Sequence, residues 1–213
     1  LVELGNATVN TTYTINSLEV RPNGRIWSDN AGTGTWRTYL KTQANGPSGY
    51  ALLNRGLLQN QVNRTSAVEV NGNLKTDGSA ITNRTSQYMG GFSYGVNNLG
   101  HNGNPWQHNH SGANGDSTPG ICLILTGGTT ANPATIEQVT ATSIGSAGAT
   151  PPSLDALPRT YIKGIYRLQS DVDIYAFENR IELGGGLDMN GYRLLSQGPM
   201  HVGDPGFNSV SYT

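Results

Sequence analysis

The sequence predicts an all-β protein with short strands and many turns, in which a thin, elongated core is shared between chains. Only 35% of its 213 residues are hydrophobic when glycine is left out, and a further 29 are glycine, so few side chains are available to build a thick core. The chain is only 13% charged and keeps ten Tyr and three Trp, unlike a disordered segment. No long stretch shows helical periodicity. We therefore expect turn-dense β-structure that takes much of its apolar burial from partner subunits.

Three segments share one pattern: an apolar–acidic–apolar run, then Asn-Gly, then a basic residue beside an apolar one. They span residues 18–26, 68–75 and 187–194. Asn-Gly between alternating apolar residues is the strongest short-range hairpin signal, because both turn residues take φ > 0. The flanking acidic and basic residues would then pair across the two strands, in exposed pairs worth under about 1 kcal/mol. The pattern predicts three scaffold hairpins separated by insertions of unequal length.

The distribution of these signals divides the chain into three regions. Residues 1–87 form a β-repeat, shaft-like region, and residues 88–153 form a glycine- and asparagine-rich insertion or tip-like region. Residues 154–213 form a β region with a shaft-like repeat, in which 161–168 and 173–178 are predicted strands.

Composition also excludes several classes of function. A formal net charge of −1 gives no electrostatic basis for binding nucleic acid or an anionic membrane. No apolar run is long enough for a transmembrane helix, and no signal peptide is visible. The single cysteine excludes a disulfide framework. Because the chain begins at Leu1 and ends mid-pattern at Thr213, we expect it to be a fragment or a processed piece.

The third repeat carries a resemblance to a known family. Leu-Asp-Met-Asn-Gly-Tyr-Arg-Leu at residues 187–194 resembles the Asp-Met-Asn-Gly segments that recur in phage tail-fibre proteins. The later step Asp204-Pro205 also matches, whereas the residues between differ from the family pattern. The resemblance implies an elongated, intertwined homotrimeric fibre of the virion, assembled in the host cytoplasm. It also implies contact with other virion tail proteins and with a host surface receptor, either a polysaccharide or an outer-membrane protein.

A second resemblance concerns His108-Asn109-His110, which is similar to the His-x-His motifs at the tips of long tail fibres. There each of three chains gives two imidazoles to a metal ion on the axis. Residues i and i+2 of a strand point to the same face, so a threefold axis collects six nitrogens, a geometry suited to first-row metals. The resemblance implies a transition-metal ion, iron or zinc. Here the motif occurs once and follows Gln107, and the alternative is two polar residues on an exposed loop.

Aromatic residues in the glycine-rich region are the candidates for receptor binding. The residues concerned are Tyr88, Phe92, Tyr94 and Trp106. Aromatic rings stack on sugar faces or anchor in protein pockets at low entropic cost. The alternative is that these rings fill a sparse trimer core.

Four carboxylates, at Asp171, Asp173, Glu178 and Glu182, lie close together in the sequence. Glycosidases place two carboxyl groups about 5–10 Å apart, which would suit a carbohydrate-active β-sandwich or β-helix, such as a tailspike-like polysaccharide depolymerase. The interpretation that we favour is that these acids solvate strands and pair with Arg167, Arg180 and Lys163. We therefore expect no enzymatic activity. A virion assembly or baseplate adaptor protein is a third possibility.

Overall fold

The computed structural model describes residues 2–4, 11–22, 24–28, 38–60, 65–77, 91–94, 120–139, 159–174, 178–196, 200–204 and 210–212. These residues form β-strands joined by turns, with no helix among them. The strands are β1 (Val2–Leu4), β2 (Thr11–Ile15), β3 (Leu18–Val20), β4 (Arg25–Ser28), β5 (Thr38–Thr42), β6 (Leu52–Asn54), β7 (Leu57–Asn60), β8 (Thr65–Val70), β9 (Leu74–Asp77), β10 (Gly91–Tyr94), β11 (Gly120–Leu125), β12 (Ala134–Val139), β13 (Arg159–Ile162), β14 (Ile165–Leu168), β15 (Val172–Ile174), β16 (Glu178–Glu182), β17 (Gly186–Asp188), β18 (Leu194–Ser196), β19 (Met200–Asp204) and β20 (Val210–Tyr212).

The chain visits its sheets in rotation. The first sheet has the order β1-β4-β7-β10, and the second has the order β2-β5-β8-β11-β13-β16-β19-β20. The third sheet has the order β17-β14-β12-β9-β6-β3, and β15 and β18 form a fourth. Apart from the antiparallel β20, every described strand pairs in parallel with the strand one coil before or after it. The arrangement is therefore a stack of coils, a parallel β-solenoid.

The predicted fold class, an elongated, intertwined homotrimeric fibre, is wrong. The described strands of one chain pair with one another in parallel sheets and enclose a buried core of their own. The composition misled the prediction because a solenoid wall is one strand thick. Such a wall needs apolar residues only at alternate, inward positions, and glycines at its corners lower the hydrophobic fraction further.

Inward residues of successive coils lie directly over one another. The third sheet stacks a column of aliphatic side chains that continues through five strands: Leu18, Leu52, Leu74, Ile136 and Leu168. Four of these five belong to the buried core, and Leu18 packs against it. Each fully buried aliphatic side chain stabilises the fold by about 1.5–3 kcal/mol. The columns fix the register, because a shift of one residue would turn every apolar side chain outward.

Two of the three Asn-Gly segments are corners of the coils, and the hairpin prediction was wrong there; Asn23 of the first segment lies outside the described residues. Asn71-Gly72 joins β8 of the second sheet to β9 of the third, and these two strands do not pair with each other. Asn190 and Gly191 both have positive φ, 49° and 79°, as a tight turn requires. They nevertheless join β17 and β18, which lie in different sheets. The predicted turn with positive φ at both residues is confirmed at Asn190-Gly191, whereas at Asn71-Gly72 only the glycine has a positive φ, 137°. Both turns direct the chain to the next wall.

One corner, between the second and third sheets, recurs at the same place in successive coils. Gly164 donates its N–H to the Leu125 carbonyl, 3.0 Å away, and its own carbonyl accepts from Gly186 N–H at 3.0 Å. A Cβ built on Gly164 would overlap the Gly127 carbonyl. Backbone therefore lies against backbone at this corner, which only glycine permits.

The Tyr166 hydroxyl makes hydrogen bonds with the backbone of the same corner from within the core. The Tyr166 side chain is fully buried. Its hydroxyl accepts from Gly127 N–H at 3.0 Å and lies 2.9 Å and 3.1 Å from the carbonyls of Val70 and Gly72, to which it donates. Burial raises the pKa of Tyr166 to about 12, although the hydrogen bonds with Gly127 and Gly72 act in the opposite direction. One phenol thus links three successive coils.

Candidate functional site

The predicted binding residues fall largely in parts of the chain that are not described. Tyr88, Trp106, His108 and His110 lie outside the described residues. Phe92 and Tyr94 lie in β10, opposite Leu58 and Asn60 of β7. The receptor-binding and metal sites at these six residues stay predictions.

Two of the four carboxylates that lie close together in the sequence, Asp171 and Glu182, form ion pairs. Asp171 accepts from the Arg193 backbone N–H at 3.0 Å and from the Arg193 guanidinium at 3.0 and 2.7 Å. These contacts, led by the backbone hydrogen bond, hold the pKa of Asp171 below its ordinary value. Asp173 lies in β15 opposite Leu195. Glu182 pairs with Lys163 at 3.4 Å. These pairings favour the interpretation that the acids solvate and pair along the wall.

A cluster that the sequence did not reveal lies on the outer face of the third sheet. It is centred on Glu137, which accepts from the Tyr50 hydroxyl and from the Lys75 ammonium, each at 2.7 Å. The Lys75 ammonium also lies 5.6 Å from the centroid of the Tyr50 ring. Lys75 and Glu137 face each other across β9 and β12. We call these three residues the Glu137 triad.

Mutual hydrogen bonds fix the protonation states of the triad. Burial alone would raise the pKa of Glu137, but hydrogen bonds from Lys75 and Tyr50 outweigh it and the pKa is lowered. Burial would lower the pKa of Lys75, yet the contact with Glu137 raises it. Burial and the hydrogen bond to Glu137 raise the pKa of Tyr50. At neutral pH the triad therefore holds an ionised carboxylate, an ammonium and a neutral phenol, and its carboxylate is a poor general acid.

A second group of charges lies beside the triad. The Arg55 guanidinium is 3.7 Å from Glu19 of the preceding coil and 3.7 Å from Asp77 of the following coil. Its Nε is buried without a hydrogen-bond partner. Leu53, which occupies the outward position between Glu19 and Lys75, is only 2% exposed. The outer face is therefore closely packed at Leu53, although the Arg55 and Glu19 side chains beside it are 38% and 40% exposed.

The described ion pairs share one arrangement, in which each partner comes from a neighbouring coil. On the second sheet Lys41 pairs with Glu69 at 3.0 Å. At the third sheet Arg167 pairs with Asp188 at 2.7 Å. In the second and third repeats the acid–base pairing predicted within the repeat is thus replaced by pairing along the stack, of Lys75 with Glu137 and of Asp188 with Arg167. The sequence signal for it is a charged residue at the outward position of a short apolar strand, as at Glu19, Glu69 and Asp188.

No group of three or more His, Cys, Asp or Glu side chains in the described part of the chain is arranged to hold a metal ion. Within the same part no helix has the length and apolar character needed to cross a membrane.

Comparison of the chain with protein-family models, with curated proteins and with solved structures gives no match. Function must therefore be argued from the fold, from the charge arrangement and from the resemblance noted in residues 187–194.

Proposed function

We propose that this chain is a structural segment of a viral tail fibre, located in the virion and contributing to attachment to a host-cell receptor. The receptor class is a surface polysaccharide or an outer-membrane protein. In this proposal three copies associate side by side and connect to other tail proteins, each copy keeping its own solenoid core.

The observation that carries the proposal is a regular stack interrupted by long insertions. From β13 to β17 one coil follows another with short corners, and β13 and β16 pair directly. Between β9 and β11, by contrast, the chain includes residues 78–90 and 95–119. The stack nevertheless continues in register across them, since β11 pairs with β8. Binding residues are commonly carried on segments positioned by a rigid scaffold. The candidate receptor residues Tyr88 and Trp106 belong to these insertions.

The residues that resemble tail-fibre segments support the same proposal in a different way. Asp188 accepts from the Asn190 backbone N–H at 2.9 Å and from Arg167 at 2.7 Å, and these contacts, led by the one with Arg167, hold its pKa below the ordinary value. Asn190 donates its side-chain amide to the Leu168 carbonyl at 3.1 Å. The Asp-Met-Asn-Gly segment therefore anchors a corner to the preceding coil, a structural role that suits a repeating scaffold.

A polysaccharide depolymerase is an alternative function that is compatible with the coiled fold. The described carboxylates, however, argue against it. Glu137, Asp171, Asp188 and Glu182 each pair with a basic side chain, whereas hydrolysis by two carboxylates needs one with a raised pKa. Release of reducing ends from host polysaccharide by the purified chain would favour the enzyme.

Location in the virion is tested by immunogold electron microscopy with antibodies raised against this chain. We expect gold particles along or at the ends of the tail fibres of virions from the source material. Labelling confined to the baseplate would support the adaptor alternative. Absence of label from intact and from mildly disrupted virions would contradict the proposal.

A further inference from the structure

One edge of the solenoid, between the second and third sheets, is built entirely of described residues. Six successive corners form it, at residues 16–17, 43–51, 71–73, 126–133, 163–164 and 183–185. No segment outside the described ranges leads from a strand of the second sheet to a strand of the third. The chemical groups that these corners present are therefore all described.

Two of the corners carry tight turns. In the first turn Gly46 N–H donates to the Tyr50 carbonyl at 2.9 Å. In the second turn Thr129 and Asn132 exchange backbone hydrogen bonds of 2.9 and 3.1 Å. Each turn doubles the chain back on itself and exposes the residues that it encloses, so both turns project from the stack.

A short corner, Asn71-Gly72-Asn73, lies between these two turns, because β8 pairs with β5 of the preceding coil and with β11 of the following coil. A Cβ built on Gly72 would lie 2.5 Å from the Asn45 side-chain oxygen, and a Cβ built on Gly127 would overlap the Gly72 nitrogen. The short corner is thus packed against both neighbouring coils, yet Asn71 is exposed. It forms a recess with a projecting turn on either side, which we call the Asn71 recess.

Hydrogen bonds of Asn73 fix the recess against both neighbouring coils. The Asn73 backbone N–H donates to the Asn45 side-chain oxygen at 2.8 Å, and its side-chain amide donates to the Gly49 carbonyl at 2.9 Å. The Asn73 side-chain oxygen accepts from Thr135 N–H at 3.0 Å. Paired strands lie about 4.8 Å apart, so the two turns are about 10 Å apart at their bases. A site that is fixed in advance loses little entropy when a ligand binds.

The groups around the recess are neutral and polar. No residue of the short corner or of the two corners that carry the turns is charged. Ser48, Asn71 and Thr130 are exposed, and their amide and hydroxyl groups both donate and accept hydrogen bonds. The charges on the strands beside them are paired with each other, as at Lys75–Glu137. A charged ligand would find no counter-charge here, whereas the hydroxyl groups of a sugar match both donors and acceptors.

Tyr50 adds an aromatic ring at the end of the first turn. The Tyr50 side chain is half-buried. Its hydroxyl donates to Glu137 at 2.7 Å, and the Lys75 ammonium lies 5.6 Å from the ring centroid. These contacts fix the orientation of the ring before a ligand arrives. Aromatic rings pack against the apolar faces of sugars, so the ring complements the polar groups of the recess.

We infer that the Asn71 recess is a binding site for a neutral saccharide. The inference rests on the proposed function for the source of that saccharide, since attachment to a host cell would make it part of a surface polysaccharide. Strand addition by a peptide suits the recess less well. The N–H groups of Asn71 and Asn73 are already bonded to the Thr42 hydroxyl and to the Asn45 side chain, so they are not free to pair with another strand.

Binding of the full chain to immobilised glycans tests the inference. The neutral probes are oligosaccharides of dextran, mannan, galactan and chitin, and the anionic probes are oligosaccharides of heparin and hyaluronate. We expect saturable binding to at least one neutral probe and none to the anionic probes.

Substitutions in the recess locate the binding. Asn71→Asp, and separately Thr130→Asp in the second turn, place a carboxylate that only accepts hydrogen bonds where a donor stood. Each should weaken binding of the neutral probe about tenfold, as expected for the loss of one or two hydrogen bonds. The matched control is Gln169→Glu, which makes the same change at an exposed residue just after β14 and should leave binding unchanged. Circular dichroism confirms that each variant is folded.

Failure of the chain to bind any neutral probe, or equal affinity of the native chain and both recess variants, would overturn the inference. Preference for the anionic probes would also overturn it, as would capture of an outer-membrane protein that is lost in Asn71→Asp, since the ligand would then be a protein. Immunogold labelling decides the proposed function separately. Labelled tail fibres without glycan binding would refute the recess alone, and glycan binding by a chain that is absent from virions would refute the proposed function alone.

Discussion

Replacement of Gly164 by alanine is expected to lower the free energy of unfolding by about 3 kcal/mol or more, because the new methyl group meets backbone that cannot move aside. A Cβ at this position would overlap the Gly127 carbonyl oxygen and lie 2.8 Å from the carbonyl carbons of Gly127 and Thr126. Relief would require the two coils to separate, which would strain the hydrogen bonds from Lys163 and Gly164 to the Leu125 carbonyl. Urea unfolding followed by circular dichroism measures the change.

Gly186→Ala is the matched control for this substitution. Gly186 also lies in the solenoid wall, but a Cβ there would meet only the end of the Ile165 side chain, at 3.2 Å. A flexible methyl group can shift by a few tenths of an ångström, so we expect a change within about 0.5 kcal/mol. Equal effects of the two substitutions would show that the corner is not closely stacked and would contradict the described fold.

Tyr166→Phe is expected to lower the free energy of unfolding by about 2 kcal/mol, with little change in core volume. The substitution leaves Gly127 N–H without its acceptor and the Gly72 carbonyl without its donor inside the corner, and a buried polar group that loses its partner costs about 1–3 kcal/mol. Tyr192→Phe, at an exposed corner, is the control and should be nearly neutral. An unchanged denaturation midpoint in Tyr166→Phe would mean that the phenol does not link the coils.

The same residue predicts how stability depends on pH. The pKa of Tyr166 is raised from 10.0 to about 12 in the folded chain, so the folded state keeps a proton that the unfolded state loses. The stabilisation is fully present below pH 10 and is lost as pH rises from about 10 to about 12. Tyr50 and Lys75 also have raised pKa values and contribute in the same direction. The comparison that isolates Tyr166 is therefore the difference between the native chain and Tyr166→Phe, which should shrink across this interval.

Local alternation was better predicted than the extent and assembly of the strands. The strand predicted over residues 161–168 was wrong, because a corner at Lys163-Gly164 divides it into β13 and β14, which lie in different sheets. Alternation at Leu74–Asp77, where Leu74 and Thr76 are buried and Lys75 is half-buried, is a local property that a sequence displays. Strand pairing is not a local property. The strand that pairs with β8 from the following coil is β11, which comes only after residues 71–119. Asn-Gly specifies that the chain turns, but it does not specify whether the next strand returns beside the first or continues along another wall. The hairpin prediction failed at that step.

Composition failed as a guide to the core for a related physical reason. A low apolar fraction was taken to mean that burial must come from partner chains. In the solenoid, stacking makes a few residues sufficient, because each of Leu52, Leu74 and Ile136 is covered by the coils before and after it. The expectation holds for a compact domain with a thick interior, and it does not hold for walls one strand deep.

The candidate site was predictable only in part. The low pKa and ion pairing of Asp171 agree with the interpretation that the acids pair along the wall, although its partner is Arg193 and not the bases nearest in sequence. The Glu137 triad joins residues 50, 75 and 137, and no spacing rule for an irregular stack connects such distant positions. His108, His110 and the aromatic residues of the insertions remain predictions.

The central claim, that this chain takes part in host attachment, is tested most directly by competition for virus adsorption. Purified chain is added in increasing concentration to host cells before virions from the same source, and free virions are counted after a fixed interval. We predict saturable binding of the chain to the cells and a concentration-dependent fall in adsorption, with heat-denatured chain as the inactive control. Adsorption that is unaffected at concentrations where the folded chain should saturate the cells, together with no detectable binding to them, would contradict the account.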